Sequence, residues 1–273
     1  MPNTFSSLIP PQPEVLLQLS RLCQQDDPDT AHIARLISSD VAVYASILKV
    51  INSPYYGLSN QITSIPHALS LLGINQVFSM VRLIILRNTL SKTGRMERFW
   101  DTAQDVSQLS IALTAKLGLK VNQDDLYTLG MLHDCGLPLM VQGFQDYRDF
   151  LSNIQGYDCT SLQQQEVARY GFSHYQLGAR MAERWFLPEA IVESIRLQPE
   201  LIETLEDRID ASEKCRHLLS VLTLAQDISA EYRYYWRIQA NDTNSRVQAA
   251  LRFLAISEYD YLSVRESLID TMQ

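Results

Sequence analysis

The sequence predicts an all-α fold, a bundle of many helices, and three observations support this prediction. Apolar residues recur at three- and four-residue steps along most of the 273 residues, which is the period of a helix that buries one face. The chain has no convincing run of alternating apolar and polar residues, so no strand is predicted. Its hydrophobic content of 46% is enough for a sizeable core in one large or two small domains.

A proline-rich opening over residues 8–13 precedes the first of three predicted helices. Polar side chains such as Asp and Thr mark helix starts, because they accept hydrogen bonds from the amides of the first turn. The three helices are predicted to begin near Glu14, at Asp29 or Thr30, and at Asp40. The third ends at Asn52, because Pro54 and Gly57 do not continue a helix.

Two further helices are predicted before residue 93. Ser64 starts a helix that ends at Gly73. Asn75 then caps a very apolar helix over about residues 77–90. Two arginines interrupt this last helix, and it is shorter than a membrane span requires. No membrane insertion is therefore predicted.

The second part of the chain is also predicted to be helical. A long helix is expected over about residues 98–117, and a helix that includes His133 follows it. Ser173 and Gln176 have the spacing of a capping box, in which each residue bonds the backbone of the other. This pattern predicts a helix over residues 174–185.

The best internal boundary is the short polar break Thr93-Gly94-Arg95. We therefore predict an N-terminal helical subdomain over residues 1–93 and a second helical subdomain over residues 94–205. The helices of residues 206–273 are predicted to complete the second bundle.

Charge and cysteine usage argue against several classes of function. The net charge is −8 with a pI near 5.1, and the basic residues are scattered. Nucleic-acid binding needs a concentrated field of Lys and Arg, so no nucleic-acid partner is expected.

No signal-peptide pattern opens the chain. The widely spaced cysteines indicate neither a metal pair nor a disulfide framework, so a cytoplasmic location is expected; they are Cys23, Cys135, Cys159 and Cys215.

The first candidate site is the adjacent pair His133-Asp134 in the apolar segment Gly130–Gly136. Leu126, Leu129 and His133 fall at helical spacing, so His133 is expected to face the interior. The pair suggests metal-assisted hydrolysis, but a hydrolytic metal takes at least three protein ligands and an open position for water. Two interpretations stay open: a metal site with further ligands, and a structural pair in which each side chain has a nearby partner.

His174 is the second candidate, in the first turn of its predicted helix. An imidazole there can cap the helix or contact another element, so a structural role stands beside a role as a metal ligand. Gly178 and Ala179 follow within about one turn, and they are small enough to permit close helix packing.

The third candidate is a recognition surface formed by Asn52, Tyr55 and Tyr56. Aromatic side chains supply much contact area and have few rotatable bonds to fix, so two adjacent tyrosines suit a binding surface. The alternative is a packed loop that joins two helices.

The chain resembles the HDOD family, the HD-related output domains of bacterial signalling proteins, over roughly residues 8–200. In the first part the matching residues are Leu8–Pro13, Ile47–Ser53, Tyr56-Gly57, Ile65, Ala68 and Leu72-Gly73. In the second part they are Phe99-Trp100, Gly130–Gly136, Glu166, Gly171, His174, Gly178-Ala179, Trp185, Pro188 and Ile195. The resemblance implies a fold similar to that of HD and HD-GYP phosphohydrolases, in a family generally regarded as non-catalytic.

Other residue types stand where the resemblance places the metal ligands of active HD enzymes. The upstream histidine would fall at about Thr102, and the later His-His stretch near Leu197-Gln198. The closing aspartate would fall near Gln226, with Asp227 one position away, and the GYP signature is absent. The resemblance leaves a vestigial set that is too small for a binuclear centre: His133, Asp134 and His174.

We therefore expect a non-catalytic signalling or regulatory adaptor that acts through contacts with signalling proteins. No cofactor is expected, beyond a single weakly held divalent metal. Two alternatives stay open. One is a metal-dependent phosphohydrolase of the HD type with an atypical site, and the other is a sensor that binds a small ligand in the degenerate cleft.

Overall fold

A computed structural model describes residues 4–52, 61–91, 96–153, 159–234 and 244–272. Within these ranges the regular structure is helical and contains no strand, which confirms the predicted all-α class. In chain order the helices are α1 (Thr4–Ser7), α2 (Glu14–Cys23), α3 (Thr30–Ser38), α4 (Val41–Ile51), α5 (Ile65–Leu72), α6 (Ile74–Ser91), α7 (Glu97–Leu117), α8 (Gln123–Leu132), α9 (Gly136–Gly143), α10 (Tyr147–Asn153), α11 (Cys159–Tyr170), α12 (His174–Arg184), α13 (Glu189–Arg196), α14 (Leu201–Leu205), α15 (Glu213–Tyr234), α16 (Ser245–Phe253) and α17 (Glu258–Met272).

Contacts divide the chain into two compact units. Pro10–Lys92 form one, here called the small unit. Met1–Ile9 and Thr93–Gln273 together form the other, here called the large unit. The small unit therefore contains α2–α6, and the large unit contains α1 and α7–α17.

Side-chain caps start α3, α4 and α5 in the small unit, as the sequence predicts. Asp29 accepts a hydrogen bond from the backbone N–H of His32 at 2.9 Å, so Asp29 is the cap of α3. Asp40 caps α4 by accepting from two amides of the next turn, and Ser64 caps α5. Each cap satisfies amides that the first turn of a helix leaves without a partner.

The prediction that Asn75 caps the last helix of the small unit is wrong. Helix α6 begins at Ile74, directly after Gly73, so Asn75 lies within its first turn. Gly73 ends α5 with a φ of 82°, and its carbonyl accepts from the N–H of Val77 at 3.3 Å. Glycine adopts this positive φ readily. Gly73 is the only residue between the two helices, and it has no side chain that could cap α6.

The apolar helix α6 belongs to the small unit. It buries Arg82, whose guanidinium carbon lies 5.3 Å from the centre of the Phe78 ring. No helix in the described ranges is long and apolar enough to cross a membrane.

Helix α15 is central to the large unit, where it packs against α7, α8, α13 and α16. Helix α7 ends at Gly118, as predicted, with a φ of 66°. Helices α7 and α8 approach so closely that a Cβ added to Gly130 would lie 2.4 Å from the Cα of Ser107. Tyr261 on α17 is buried and donates to Asp227 on α15 at 2.6 Å.

Candidate functional site

His133 and Asp134 lie in a tight turn between α8 and α9. The sequence places His133 within a helix, but α8 ends at Leu132 and His133 occupies the C-cap position. The N–H of Cys135 bonds the Leu132 carbonyl at 2.9 Å, which closes the turn. The prediction that His133 faces the interior is confirmed, because it is only 4% exposed.

Two glycines bring the start of α12 against this turn. A Cβ added to Gly136 would lie 1.9 Å from the backbone oxygen of His174, and one added to Gly178 would lie 3.0 Å from the backbone nitrogen of Gly136. Any larger residue at Gly136 would push the two helices apart. The absence of both side chains therefore lets the His174 ring come close to the Asp134 carboxylate. The predicted capping box of Ser173 and Gln176 is present, and it starts α12 at His174.

The Asp134 carboxylate lies between two imidazole rings. Its Oδ2 lies 3.4 Å from Nε2 of His133, and its Oδ1 lies 3.7 Å from Nε2 of His174. The Nδ1–H of His133 donates to the Gly130 carbonyl at 2.8 Å, which fixes the ring with Nε2 toward Asp134. Both carboxylate oxygens of Asp134 therefore face an imidazole nitrogen.

Glu166 holds the far side of His174, and Tyr147 holds Glu166. The Nδ1–H of His174 donates to the Glu166 carboxylate at 2.8 Å, and its backbone N–H donates to the same group at 3.0 Å. The Tyr147 hydroxyl also donates to Glu166. Glu166 and Tyr147 are both fully buried. The sequence marks Glu166 only as a residue shared with the HDOD pattern, and nothing around Tyr147 in the sequence indicates its part in the site.

The neighbouring charges of this network shift the pKa values of His133, Asp134 and His174 toward their charged forms. Burial by itself lowers the pKa of His174, but the nearby carboxylates of Asp134 and Glu166 outweigh burial and raise the pKa to about 9. Burial likewise opposes the charged form of His133, and the Asp134 carboxylate outweighs it and raises the pKa. The pKa of Asp134 lies well below its usual range, because the two histidines outweigh the effect of burial.

Gln198 and Gln226, where the resemblance places two metal ligands, meet in the same region. The Nε2 of Gln198 donates to the backbone carbonyl of His133 at 2.7 Å, and Gln226 donates to the Oε1 of Gln198 at 3.1 Å. Gln198 is 1% exposed. The two amides therefore tie α13 and α15 to the turn that holds His133.

Thr102 and Asp227 make their bonds elsewhere. The Thr102 hydroxyl donates to the Arg98 carbonyl of its own helix at 2.9 Å. The Asp227 carboxylate accepts from Tyr261 and lies 3.4 Å from the guanidinium of Arg265, so it anchors α17.

These side chains do not fit the metal centre of an active HD enzyme. Within the described ranges, no group of three or more His, Cys, Asp or Glu side chains has an arrangement that could hold a metal ion. Nδ1 of both histidines is occupied by a hydrogen bond, and Asp134 is already paired with both rings. Each amide of the glutamine pair is also occupied by a neighbouring protein group.

The third candidate, the surface at Asn52, Tyr55 and Tyr56, is described only at Asn52. The side-chain amide of Asn52 accepts from the N–H of Ile62 at 2.7 Å and donates to the Ile62 carbonyl at 2.8 Å. It also donates to the Leu48 carbonyl. Asn52 thus joins the end of α4 to the chain ten residues later, while Tyr55 and Tyr56 lie outside the described residues.

The model of the HDOD domain family matches residues 9–201. This range includes the whole polar network described above: His133, Asp134, Tyr147, Glu166 and His174. This chain belongs to the HDOD family. The resemblance drawn from the sequence is therefore confirmed. The HDOD match ends before α15, so Gln226 lies beyond it.

A curated protein of Treponema pallidum (strain Nichols), named as uncharacterized, is 25% identical to this chain over 200 residues. Those residues are 73% of this chain, and the chain spans 39% of the relative's length.

Two solved structures share the fold at low sequence identity. A Shewanella amazonensis SB2B protein, named provisionally as a phosphohydrolase, is 18% identical with a TM-score of 0.68 over 98% of this chain and 94% of its own. A Marinobacter aquaeolei VT8 protein, named provisionally as a signal transduction protein, is 17% identical with a TM-score of 0.63 over 99% of this chain and 59% of its own. These similarities establish the fold.

Proposed function

We propose that this HDOD protein is a non-catalytic regulatory adaptor that acts through contacts with signalling proteins. The observation that supports this function is the amide pair Gln198–Gln226 at two positions where the resemblance to HD enzymes expects metal ligands. A neutral amide nitrogen does not bind a metal ion. In addition, both atoms of the Gln198 amide already bond protein groups.

The remaining polar residues of the site act as internal connections of a scaffold. Asp134 links the turn after α8 to α12, Glu166 links α11 to α12, and Gln198 links α13 to the same turn. Buried polar groups that are fully hydrogen-bonded specify one arrangement of the elements they join. An adaptor needs such a scaffold, because a binding surface that is already ordered loses less entropy when a partner binds.

A second candidate function is hydrolysis of a phosphoester at an atypical metal site. One observation favours it: the Asp134 side chain is 27% exposed, so an ion could approach this carboxylate from solvent beside two imidazole rings. The name of the Shewanella neighbour points in the same direction. A ligand sensor would use the same exposed carboxylate without turnover.

A metal-supplemented hydrolysis assay decides between the adaptor and the enzyme. We expect no turnover of cyclic di-GMP or of simple phosphoesters with iron, manganese or nickel, and no stoichiometric metal after dialysis. An active HD-GYP enzyme is the positive control. Turnover by the wild type that disappears in His133→Ala, with melting and tryptophan emission unchanged, would establish the enzyme instead.

Restoring the missing ligands tests the amide pair directly. If the glutamines prevent metal binding, the double variant Gln198→His and Gln226→Asp gains affinity for Mn²⁺, and its Tm rises as Mn²⁺ is added. The wild type, measured beside it, shows no such rise. An equal rise in both proteins would show that the glutamines do not control metal binding.

A further inference from the structure

The first described residues of the chain pack against the large unit. The N-terminal segment, Thr4–Ile9, belongs to the large unit, although the residues that follow it, Pro10–Lys92, form the small unit. The family model matches from residue 9, and Leu8 opens the pattern shared with the HDOD family, so α1 lies just before that pattern.

Phe5 is the first contact of the N-terminal segment. Its ring meets the ring of Phe172 edge to face, with centroids 4.8 Å apart. Phe172 belongs to an aromatic patch, defined here as Phe144, Tyr170 and Phe172, in which Phe144 lies 4.6 Å from Tyr170 and 6.0 Å from Phe172. Edge-to-face contacts of this kind favour a specific orientation of the rings.

Leu8 is the second contact, and it fills the space left by the missing side chain of Gly143. A Cβ added to Gly143 would lie 2.4 Å from Cδ2 and 2.9 Å from Cδ1 of Leu8, and its three nearest atoms all belong to Leu8. Gly143 is the last residue of α9 and has no positive φ, so its backbone does not require glycine. Glycine is also less favourable than alanine in a helix. Its presence is explained by the room that it gives to Leu8.

Phe5 and Leu8 are three residues apart, so both can face one surface when the segment forms a helical turn. The guanidinium of Arg184 adds a hydrogen bond to the carbonyl of Ser6 at 3.3 Å. The contacts thus resemble helix-in-groove recognition, in which apolar side chains one turn apart enter a groove.

We propose that the aromatic patch and Gly143 form a peptide-binding groove for a partner segment with an aromatic residue and a leucine three positions later. The chain's own N-terminal segment occupies this groove as a built-in competitor. The proposal rests on the proposed adaptor function for the existence of a partner. It gives the adaptor a binding surface and specifies the side chains of the peptide that this surface binds.

The test uses a fluorescent synthetic peptide of residues 1–10 and the full-length variant Phe5→Ala with Leu8→Ala. Fluorescence anisotropy is expected to show that the peptide binds this variant about tenfold more tightly than the wild type, because the tethered segment competes at a high effective concentration. A peptide that has both alanine substitutions is expected not to bind. Equal or absent binding of the unsubstituted peptide to the two folded proteins would overturn the proposal.

Gly143→Leu in the same variant should abolish peptide binding, because the new side chain fills the position of Leu8. Gln142→Leu, at the exposed neighbouring position of α9, is the matched control and should leave binding intact. If the alanine variant does not fold, hydrogen exchange of the single variant Gly143→Leu replaces it. Exchange of residues 4–9 should then rise relative to Gln142→Leu, and unchanged exchange would contradict the groove. Failure of these tests leaves the hydrolysis assay unaffected, so the groove and the adaptor function are judged separately.

Discussion

Compared with the small unit, whose buried polar side chains among the described residues are Ser20 and Arg82, the large unit buries a much richer polar set. That set includes His133, Glu166, His174 and Gln198 together with several serines and threonines. The small unit follows the usual pattern of an apolar interior with polar caps at its surface. The large unit instead encloses a hydrogen-bonded polar network. Among the described residues, the buried polar network therefore lies within one unit.

The two units also differ in charge. The small unit has six basic and five acidic side chains, whereas the large unit has seventeen basic and twenty-six acidic ones. The acidic excess of the chain therefore belongs to the large unit. For the small unit, the argument against a nucleic-acid partner rests on the scattering of its basic residues rather than on net charge.

The largest expected effect is a loss of unfolding free energy when the polar network of the large unit is broken. Glu166→Ala removes the partner of a buried imidazolium and of the Tyr147 hydroxyl. Breaking a buried ion pair in this way costs about 3–5 kcal/mol of unfolding free energy. Tryptophan fluorescence during urea denaturation measures it selectively, because all three tryptophans of the chain follow residue 93.

The matched control is Asp40→Ala in the small unit, which removes a helix cap and costs about 1 kcal/mol. An equal loss in the two variants would mean that the buried network stabilises the fold no more than a surface cap does.

A pH titration of stability is expected to show the next effect in size. The pKa of His174 is about 9 in the folded protein, above the usual value near 6.5, so the folded state holds a proton that the unfolded state releases between these values. This contribution is complete below about pH 6.5 and is lost as the pH rises through about 9, at a cost on the order of 3 kcal/mol. His133, whose pKa is also raised, acts in the same direction.

Urea midpoints followed by tryptophan fluorescence from pH 6 to pH 9.5 would measure this loss. The fall should be smaller in His174→Gln, while the half-exposed His217 provides a control through His217→Gln. A wild-type midpoint that stays constant over this range would contradict the protonated network.

The smallest effect concerns the small unit. Asn52→Ala leaves the N–H and carbonyl of Ile62 without their side-chain partner, at a cost of about 1–3 kcal/mol. We expect far-UV circular dichroism to show a lower midpoint, with a smaller shift in the tryptophan signal. An unchanged midpoint by both probes would show that Asn52 is dispensable for the fold, which would favour its predicted role in recognition.

Local interactions explain most of what the sequence predicted correctly. The caps at Asp29, Asp40 and Ser64 and the capping box of Ser173 and Gln176 each join atoms within three residues of one another. Such contacts depend on the identities of a few neighbouring residues. The exception is Asn75, a residue type that often caps helices. Because α6 begins at Ile74, directly after Gly73, Asn75 lies within the first turn instead.

The sequence by itself determined the all-α class, most helix starts and the HDOD family, and its resemblance to HD enzymes drew attention to Gln198 and Gln226. Only the tertiary structure decided that Tyr147 bonds Glu166, which holds His174, and that the two glutamines bond each other. The physical reason is distance along the chain: Tyr147 and Glu166 are 19 residues apart, and Gln198 and Gln226 are 28 apart. Whether such side chains meet depends on how closely whole helices approach, which here is set by contacts such as that of Gly136 with the backbone of His174.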